Sequence, residues 1–347
     1  MARLRGRLWT VLALGCLARA GYGLAPEPEQ VLARCRELTA GRPHLFVRTP
    51  GVSSRGRSIG LVIATARPQA LVSQVRVLVL ARQHGDEPVP ARAALLWLAQ
   101  QGQQASAFER VAVLLVPTLN PDGAAAGTRA NGAGVDLNRD WSARTQPETR
   151  LVETLYQRWR PHMVVDMHTF PGLRADGTRG EPDWLESFRV GGDTPADRVS
   201  YDLASELVSV QRAVNEPVRL IQTRREEGWP ATLCHRYFAQ EHRVPALLWE
   251  IGDDRADPEA RLLTELVGRL AARAERLKPL LDQALGWRDW RPAETLPVVA
   301  AKAAAPRPAD PPRPYVPPSV PWSWCLAACA AVLAPRAKGP WSADEME

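Results

Sequence analysis

The sequence predicts an α/β fold, a single domain in which a mixed, mostly parallel twisted sheet is covered by helices on both faces. Between Pro26 and Trp287, short aliphatic runs alternate with longer segments of helical periodicity. The aliphatic runs contain few polar residues, which is typical of strands buried on both faces. The length of 347 residues and the apolar fraction of 45% allow one large core and exclude a wholly disordered chain.

The aliphatic runs predict strands and the periodic segments predict helices. The predicted strands are Val75 to Leu80, Val111 to Val116, Met163 to Met167, Val218 to Ile221 and Ala246 to Trp249. The predicted helices are Pro88 to Gln100, Pro147 to Arg158, Ala196 to Ala213, Ala231 to His242 and Pro258 to Ala284. In such sheets the chemistry lies beyond the carboxyl ends of the strands. We therefore expect functional residues directly after these runs.

The first residues have the order of a secretory signal peptide. Arginines precede an apolar run from Leu8 to Ala18, and Ala18-Arg19-Ala20 matches the small-x-small cleavage pattern. We expect a signal peptide at residues 1–20 and export to the periplasm or the extracellular space. Lipidation at Cys16 is an alternative, because Leu14-Gly15-Cys16 partly matches a lipoprotein cleavage site. An uncleaved anchor is disfavoured, since the apolar run is shorter than the roughly 20 residues that span a bilayer.

Charge does not indicate a nucleic-acid partner. The formal charge falls from +6 to +2 when the leader arginines Arg3, Arg5, Arg7 and Arg19 are removed. The basic balance of the full sequence therefore comes largely from the leader, and we expect no nucleic acid among the partners.

A proline-rich tail follows the predicted domain of residues 26–287. Residues 288–347 contain closely spaced prolines, which do not fit a packed core, and then an apolar segment from Trp322 to Ala334. That segment is too short to cross a bilayer, so we expect it to pack on the domain rather than contact a membrane. Outside the leader the cysteines are Cys35, Cys234, Cys325 and Cys329. Their spacing assigns no disulfide.

Polar side chains follow several predicted strands and suggest a metal site. His84 and Glu87 come after Val75 to Leu80, and His168 ends Met163 to Met167. Two histidines and one glutamate, with a fourth position left for water, form a catalytic zinc set. A His-x-x-Glu pattern alone is common by chance, and a lone histidine is more often a core or surface residue. Glu250, which ends the strand Ala246 to Trp249, would by itself be equally well a surface acid.

A long polar loop follows the strand Val111 to Val116. It contains Asn120-Pro121-Asp122-Gly123, then Gly127-Thr128-Arg129-Ala130-Asn131, then residues 134–141 with the sequence GVDLNRDW. The first block alone is a favourable turn sequence. A loop of this length is usually functional or disordered, and its glycines and arginines favour a function.

In the order of these motifs, the sequence resembles the zinc carboxypeptidases of the carboxypeptidase A/B type, and among them the bacterial murein tripeptide amidases. The resemblance covers about Pro26 to Glu250. It includes an upstream segment, residues 51–59 with the sequence GVSSRGRSI, similar to the family pattern G-x-S-x-x-G-R-x-I. It implies the zinc carboxypeptidase fold and one Zn²⁺ per chain, with a peptide or muropeptide as substrate.

The resemblance also implies roles for particular residues. The zinc ligands would be His84, Glu87 and His168. Glu250 would be the general base and acid and Arg129 would stabilise the oxyanion. Asn138 and Arg139 would hold the free carboxylate of the substrate, and Asp136 would orient a ligand imidazole, that of His84. Asp166 remains open: it would either support the metal site or be a buried strand acid bonded to backbone.

The sequence departs from the family where a mobile tyrosine is expected. Residues 224–232 contain no tyrosine, and Tyr237 falls within the next predicted helix. The insertion from Thr169 to Pro195 is expected at the rim of the cleft. The resemblance implies an exported zinc metallocarboxypeptidase that hydrolyses a C-terminal amide bond. The alternatives are an N-acyl amino acid deacylase of the aspartoacylase type and a non-catalytic envelope protein that binds zinc or peptide.

Overall fold

The structure is a computed structural model that describes residues 27–101, 105–170, 182–190, 193–214, 216, 218–224, 232–252 and 256–291. All of these residues belong to one unit, residues 1–297. The predicted signal peptide, Cys16, and the tail from residue 292 onward with its apolar segment lie outside the described residues. Within the described ranges, no helix is both long enough and apolar enough to span a membrane.

An eight-stranded mixed sheet lies at the centre of the described residues. Its strands are β1 (Leu45–Val52), β2 (Ser58–Ala64), β3 (Val75–Ala81), β4 (Val111–Val116), β5 (Met163–Phe170), β6 (Asp183–Arg189), β7 (Val218–Arg224) and β8 (Ala246–Gly252). The spatial order is β1-β2-β4-β3-β5-β8-β6-β7. The central strands β4, β3, β5 and β8 are mutually parallel. Strand β2 is antiparallel to both β1 and β4, and β6 is antiparallel to β8. The predicted mixed, mostly parallel sheet is confirmed.

Helices cover both faces of the sheet, as predicted. They are α1 (Pro28–Thr39), α2 (Val89–Gln100), α3 (Pro121–Ala126), α4 (Pro147–Trp159), α5 (Pro195–Ala213), α6 (Cys234–Glu241) and α7 (Asp257–Ala284). Helices α1, α2, α5 and α7 pack on one face, and α4 and α6 pack on the other. Prolines occupy the first turn of α1, α4 and α5, where the missing N–H costs no intrahelical hydrogen bond.

The insertion from Thr169 to Pro195 was expected at the rim of the cleft, and for residues 183–189 this expectation is wrong. These residues form β6, an internal strand between β8 and β7. Its polar residues are buried because they are paired: Glu186 accepts hydrogen bonds from Thr223 Oγ1 and Arg236 Nη2. Buried charges interrupt the apolar pattern by which strands are recognised in a sequence, which is why β6 was not predicted.

Buried polar contacts fix the amino end of β3, at the edge of the sheet away from the predicted metal site. Arg76 donates hydrogen bonds to the carbonyl oxygens of Trp159 at 2.8 Å and Gln74 at 3.0 Å. Burial lowers the pKa of Arg76 to about 10. Nearby, His162 Nε2 lies 2.9 Å from Asp282 Oδ1. These contacts tie the starts of β3 and β5 to α7, so the strands stay in register toward their carboxyl ends.

The packed body continues beyond residue 287. The Trp290 ring, in the predicted tail, lies 4.8 Å from the Arg76 guanidinium carbon. Cys35 and Cys234, the cysteines in the described ranges, are both buried and free.

A sharp turn after β3 brings the predicted metal ligands back toward the sheet. Arg82 has the left-handed backbone angle φ of 52°, and its Nε donates to the Gly85 carbonyl at 3.1 Å. A Cβ atom at Gly85 would lie 2.0 Å from the carbonyl carbon of Gly123 and 2.3 Å from the nitrogen of Ala124. Glycine is therefore required at position 85 for the loop to contact α3.

The space around the Cβ position predicts opposite effects for Gly-to-Ala substitutions at Gly85 and Gly268. Gly85→Ala is expected to lower the free energy of unfolding by about 1 to 3 kcal/mol, because backbone must move to admit the methyl group. Gly268→Ala lies within α7 with no atom near its Cβ position, and it is expected to raise that free energy by about 0.5 to 1 kcal/mol. Urea denaturation measures both; similar values for the two variants would contradict the close contact at Gly85.

Candidate metal centre

The side chains of His84, Glu87 and His168 converge at the carboxyl edge of the sheet. His84 Nδ1 lies 2.6 Å from Glu87 Oε1, and His168 Nδ1 lies 2.9 Å from Glu87 Oε2. The two Nδ1 atoms are 3.1 Å apart. One ligand atom from each residue lies within 4.8 Å of the others. The three residues predicted to bind metal are therefore brought together from the β3 to α2 loop and from β5.

The far nitrogen of each imidazole lies beside a carboxylate. His84 Nε2 is 3.2 Å from Asp136 Oδ1, and His168 Nε2 is 3.1 Å from Asp166 Oδ1. A carboxylate accepting the Nε2 proton leaves the Nδ1 lone pair free for a metal ion. The structure thus places Asp136 next to His84 as expected, and it places Asp166 against His168.

The electrostatics of the three residues suit a cation. Burial opposes ionisation of Glu87, but the charges and hydrogen bonds of His168 and His84 outweigh it and lower the pKa of Glu87 to about 2. Burial likewise opposes the charged form of His168, yet Asp166 and Glu87 raise its pKa well above the ordinary value. Positive charge is therefore favoured at this centre. Two nitrogen ligands and one carboxylate fit zinc, whereas calcium and magnesium prefer oxygen ligands.

Glu250 lies beside this centre on the neighbouring strand. It is the partner of His168 in the parallel pairing of β5 and β8, so the two side chains leave the same face of the sheet about 5 Å apart at the backbone. Burial raises the pKa of Glu250 to about 7; His168 opposes this shift, and the negative charges of Glu87 and Asp166 add to it. Its carboxyl group can therefore gain or lose a proton near neutral pH.

Asp136 connects the centre to Arg129. Arg129 Nε donates to Asp136 Oδ2 at 2.9 Å, while the other oxygen of Asp136 is the one that faces His84. Burial opposes ionisation of Asp136, but the contacts with His84 and Arg129 outweigh it and lower its pKa. The Arg129 side chain is 47% exposed, and its Nη1 lies 3.7 Å from Glu87 Oε1. Its guanidinium therefore faces both the centre and solvent.

Asn138 and Arg139 lie on a short turn and differ in exposure. Asn138 is buried: its Oδ1 accepts from the backbone nitrogen of Cys234 at 2.9 Å, and its Nδ2 lies 3.3 Å from His168 Nε2. Arg139 is exposed, and its Nη1 donates to the Asn138 carbonyl at 3.0 Å. Arg139 is thus accessible to a solute, whereas Asn138 forms part of the wall.

The glycine-rich loop that carries these residues is held by the upstream motif. Asn120 Oδ1 accepts from the nitrogen of Gly123 at 2.8 Å and begins α3. Asp122 Oδ2 accepts from the backbone nitrogen of Arg55 at 2.9 Å and from Ser54 Oγ at 3.1 Å. The segment at residues 51–59 therefore has a supporting role, because it anchors the loop that carries Arg129.

Sequence reasoning missed three residues around His168: Gln83, Trp141 and Cys234. The Gln83 amide lies between Asp166 and His168, and Trp141 Nε1 donates to Gln83 Oε1 at 2.5 Å. The position of Gln83 next to a predicted ligand was the one available signal. Residues 225–231, part of the stretch where the family has a mobile tyrosine, are outside the described ranges. Tyr237 lies in α6 as expected, with its hydroxyl donating to Glu153.

Comparison with known families identifies the same region of the chain. Residues 31–171 match the family model described as zinc carboxypeptidase. This segment contains His84, Glu87 and His168 as well as the glycine-rich loop. The family description itself names zinc, the metal that the ligand set fits.

Several proteins named as carboxypeptidases are similar to this chain in sequence or structure. Carboxypeptidase 2 from Trichophyton tonsurans is 33% identical over 110 residues, which are 30% of this chain and only 20% of that protein. A metallo-carboxypeptidase from Burkholderia cenocepacia has a TM-score of 0.57 at 18% identity and covers 70% of this chain and 68% of its own. Carboxypeptidase A from Helicoverpa armigera has a TM-score of 0.59 at 17% identity, covering 80% and 81%.

The structural neighbours establish the fold, and the sequence match adds the motifs. Both agree with the order of motifs along the chain and with the convergence of His84, Glu87 and His168. Residues 31–171 are therefore similar to the zinc carboxypeptidases, whose family model they match.

Proposed function

We propose that this chain is an exported zinc-dependent metallocarboxypeptidase that hydrolyses a C-terminal amide bond of a peptide or cell-wall peptide. The observation that carries the proposal is the buried convergence of His84, Glu87 and His168 with Glu250 on the adjacent strand. A closed structural zinc site would use four protein ligands, whereas three ligands leave a position for water or substrate.

His84, Glu87 and His168 would hold the zinc ion. When bound there, zinc makes water more acidic and polarises a carbonyl group. Glu250 lies on the same face of the sheet as His168, which suits a general base that takes a proton from water. The protonated Glu250 then passes the proton to the leaving amine, and its raised pKa supports both steps.

Arg129 is suited to stabilise the negative charge that develops on the scissile carbonyl oxygen. Its guanidinium is held at Nε by Asp136 and is half exposed, so its remaining N–H groups are available to a substrate. A preorganised donor of this kind stabilises charge in the transition state. Because Asp136 also contacts His84, one carboxylate holds both Arg129 and a metal ligand.

Arg139 is suited to bind the free carboxylate of the substrate. Its exposed guanidinium can form two parallel hydrogen bonds to a carboxylate, which lysine cannot. Asn138 Nδ2, which lies 3.3 Å from His168 Nε2, carries two N–H groups, and one of them would assist. A neighbouring metallo-carboxypeptidase from Pseudomonas aeruginosa, with a TM-score of 0.54, was solved in complex with (2-guanidinoethylmercapto)succinic acid. That ligand is a dicarboxylic acid, which agrees with recognition of carboxylates in this fold.

Export and a cell-wall substrate are further parts of the proposal. The leader supports export, and the resemblance to murein tripeptide amidases supports a muropeptide substrate. A mass-spectrometric screen of the zinc-loaded protein against mixed peptides and muropeptides distinguishes the substrate classes. Cleavage only of acyl amino acids would instead favour the deacylase alternative.

Replacement of the proposed base should separate catalysis from metal binding. Glu250→Gln is expected to lower kcat by about 10²- to 10⁴-fold, because general acid and base catalysis is lost, while zinc stoichiometry stays the same. Asp86→Asn is the control, because Asp86 is an exposed carboxylate between two metal ligands. Hydrolysis of blocked dipeptides and metal analysis measure both effects. Full activity in Glu250→Gln would remove Glu250 from the mechanism.

The pH dependence should report the same group. Burial raises the pKa of Glu250 from 4.5 to about 7, and a zinc ion beside it would lower that pKa again. A base must be deprotonated, so kcat/KM is expected to fall with decreasing pH, with a midpoint between about 4.5 and 7. The profile of kcat/KM for a dipeptide measures this midpoint. If the acid limb of the kcat/KM profile keeps its position in Glu250→Asp and Glu250→Gln, that limb belongs to another group.

Arg139 predicts selectivity for a free terminal carboxylate. In Arg139→Ala, KM for a peptide with a free C terminus is expected to rise at least tenfold, since a charge-assisted bidentate contact is lost. The same peptide with an amidated C terminus should be cleaved equally poorly by both proteins. Arg34→Ala, at an exposed arginine that pairs with Glu37 on α1, is the control. An equal effect of Arg139→Ala on both peptides would contradict the assignment.

A further inference from the structure

The far nitrogen of His168 is surrounded by three buried polar side chains. His168 Nε2 lies 3.1 Å from Asp166 Oδ1, 3.0 Å from Gln83 Nε2 and 3.3 Å from Asn138 Nδ2. Asp166 and Gln83 are fully buried, so water does not compete for these contacts. Whether His168 Nε2 donates or accepts a hydrogen bond among these groups decides which imidazole nitrogen carries the proton.

The orientation of each amide is fixed by a second contact. Gln83 Oε1 accepts from Trp141 Nε1, and the indole N–H is a donor only. The Gln83 nitrogen must then face inward, where it donates to Asp166 Oδ1 at 3.1 Å. Asn138 is fixed in the same way, because its Oδ1 accepts from the backbone nitrogen of Cys234. Both amides therefore turn their nitrogens, which cannot accept a hydrogen bond, toward His168 Nε2.

Asp166 is consequently the acceptor among these three groups. If Nε2 carried no proton, it would accept from the amides of Gln83 and Asn138, and the proton would sit on Nδ1, where it blocks metal binding. If Nε2 carries the proton, it donates to a buried carboxylate, which is the stronger charge-assisted bond. The Nδ1 lone pair is then directed to the centre between His84 and Glu87.

We propose that Asp166, held in place by Gln83 and Trp141, is a positioning residue that keeps the His168 proton on Nε2 and so leaves Nδ1 free to bind metal. The inference rests on the proposed function in one respect, that the centre holds zinc. Asp166 thus acts on His168 as Asp136 acts on His84.

The fold supplies matched controls at the opposite edge of the sheet. Gln74 directly precedes β3 and is a buried amide, with Nε2 donating to the Phe108 carbonyl at 2.5 Å and Oε1 accepting from Thr65 Oγ1 at 2.7 Å. Asp282 pairs with His162 at 2.9 Å. Substitutions at Gln74 and Asp282 remove the same kinds of buried contact without touching the metal centre.

The test measures zinc affinity of the folded full chain by competition with a chromophoric chelator, together with the visible absorption of the cobalt-substituted protein. Asp166→Asn and Gln83→Met are each expected to weaken zinc binding by about 10- to 100-fold and to change the cobalt spectrum. Gln74→Met and Asp282→Asn are expected to lower stability but to leave affinity and spectrum unchanged. The double variant Gln83→Met with Asp166→Asn should bind no more weakly than the weaker single variant, because Gln83 acts through Asp166.

Wild-type affinity and spectrum in folded Asp166→Asn would overturn the inference, as would additive losses in the double variant. If Asp166→Asn does not fold, Gln83→Met decides alone, and unchanged affinity there overturns the proposal. Failure of the proposed function can be distinguished from failure of the inference about Asp166. A chain that binds zinc tightly, loses affinity in these variants and cleaves no peptide would refute the carboxypeptidase proposal while supporting the role of Asp166. A wild-type chain that binds no zinc would refute both.

Discussion

The burial of two imidazoles and a carboxylate around one point is the constraint on which the site depends. Close packing of His84, Glu87 and His168 leaves the far side of each imidazole without solvent, and a buried polar atom without a partner is costly. Asp136 and Asp166 meet that requirement at the two histidines. Each of these carboxylates in turn needs donors, which Arg129 and Gln83 provide. The polar residues around the centre are therefore consequences of burying these three side chains.

The parallel sheet explains how distant residues meet. Strands β3, β5 and β8 run side by side in the same direction, so their carboxyl ends lie at one edge. His168 and Glu250 are partners in neighbouring strands and need no loop to bring them together. The ligands after β3 need a sharp turn, and the close contact of Gly85 with α3 permits it. Strand pairing thus supplies the rigid half of the site and the glycine-dependent loop supplies the other half.

The ends of β3 have different chemistry although both are buried. At the start of the strand, Arg76 donates to backbone carbonyls, and the polar contacts there are saturated by fixed partners. Beyond its end, Gln83 and the metal ligands surround a centre that favours a cation. A single strand therefore joins a structural polar cluster to the candidate metal centre. The two clusters lie at opposite ends of the strand, so Gln74 and Asp282 have no contact with the candidate metal centre.

The sequence by itself determined the α/β fold, the strands of the sheet centre and the three residues that converge at the candidate metal centre, because apolar strands and ordered motifs are local patterns. It did not reveal β6, since the buried charges of Glu186 are neutralised by partners distant in the chain. Nor did it decide between the two readings of Asp166 or identify Gln83. Hydrogen-bond direction at His168 depends on Trp141 and on the backbone of Cys234, which only the tertiary structure brings to the same place.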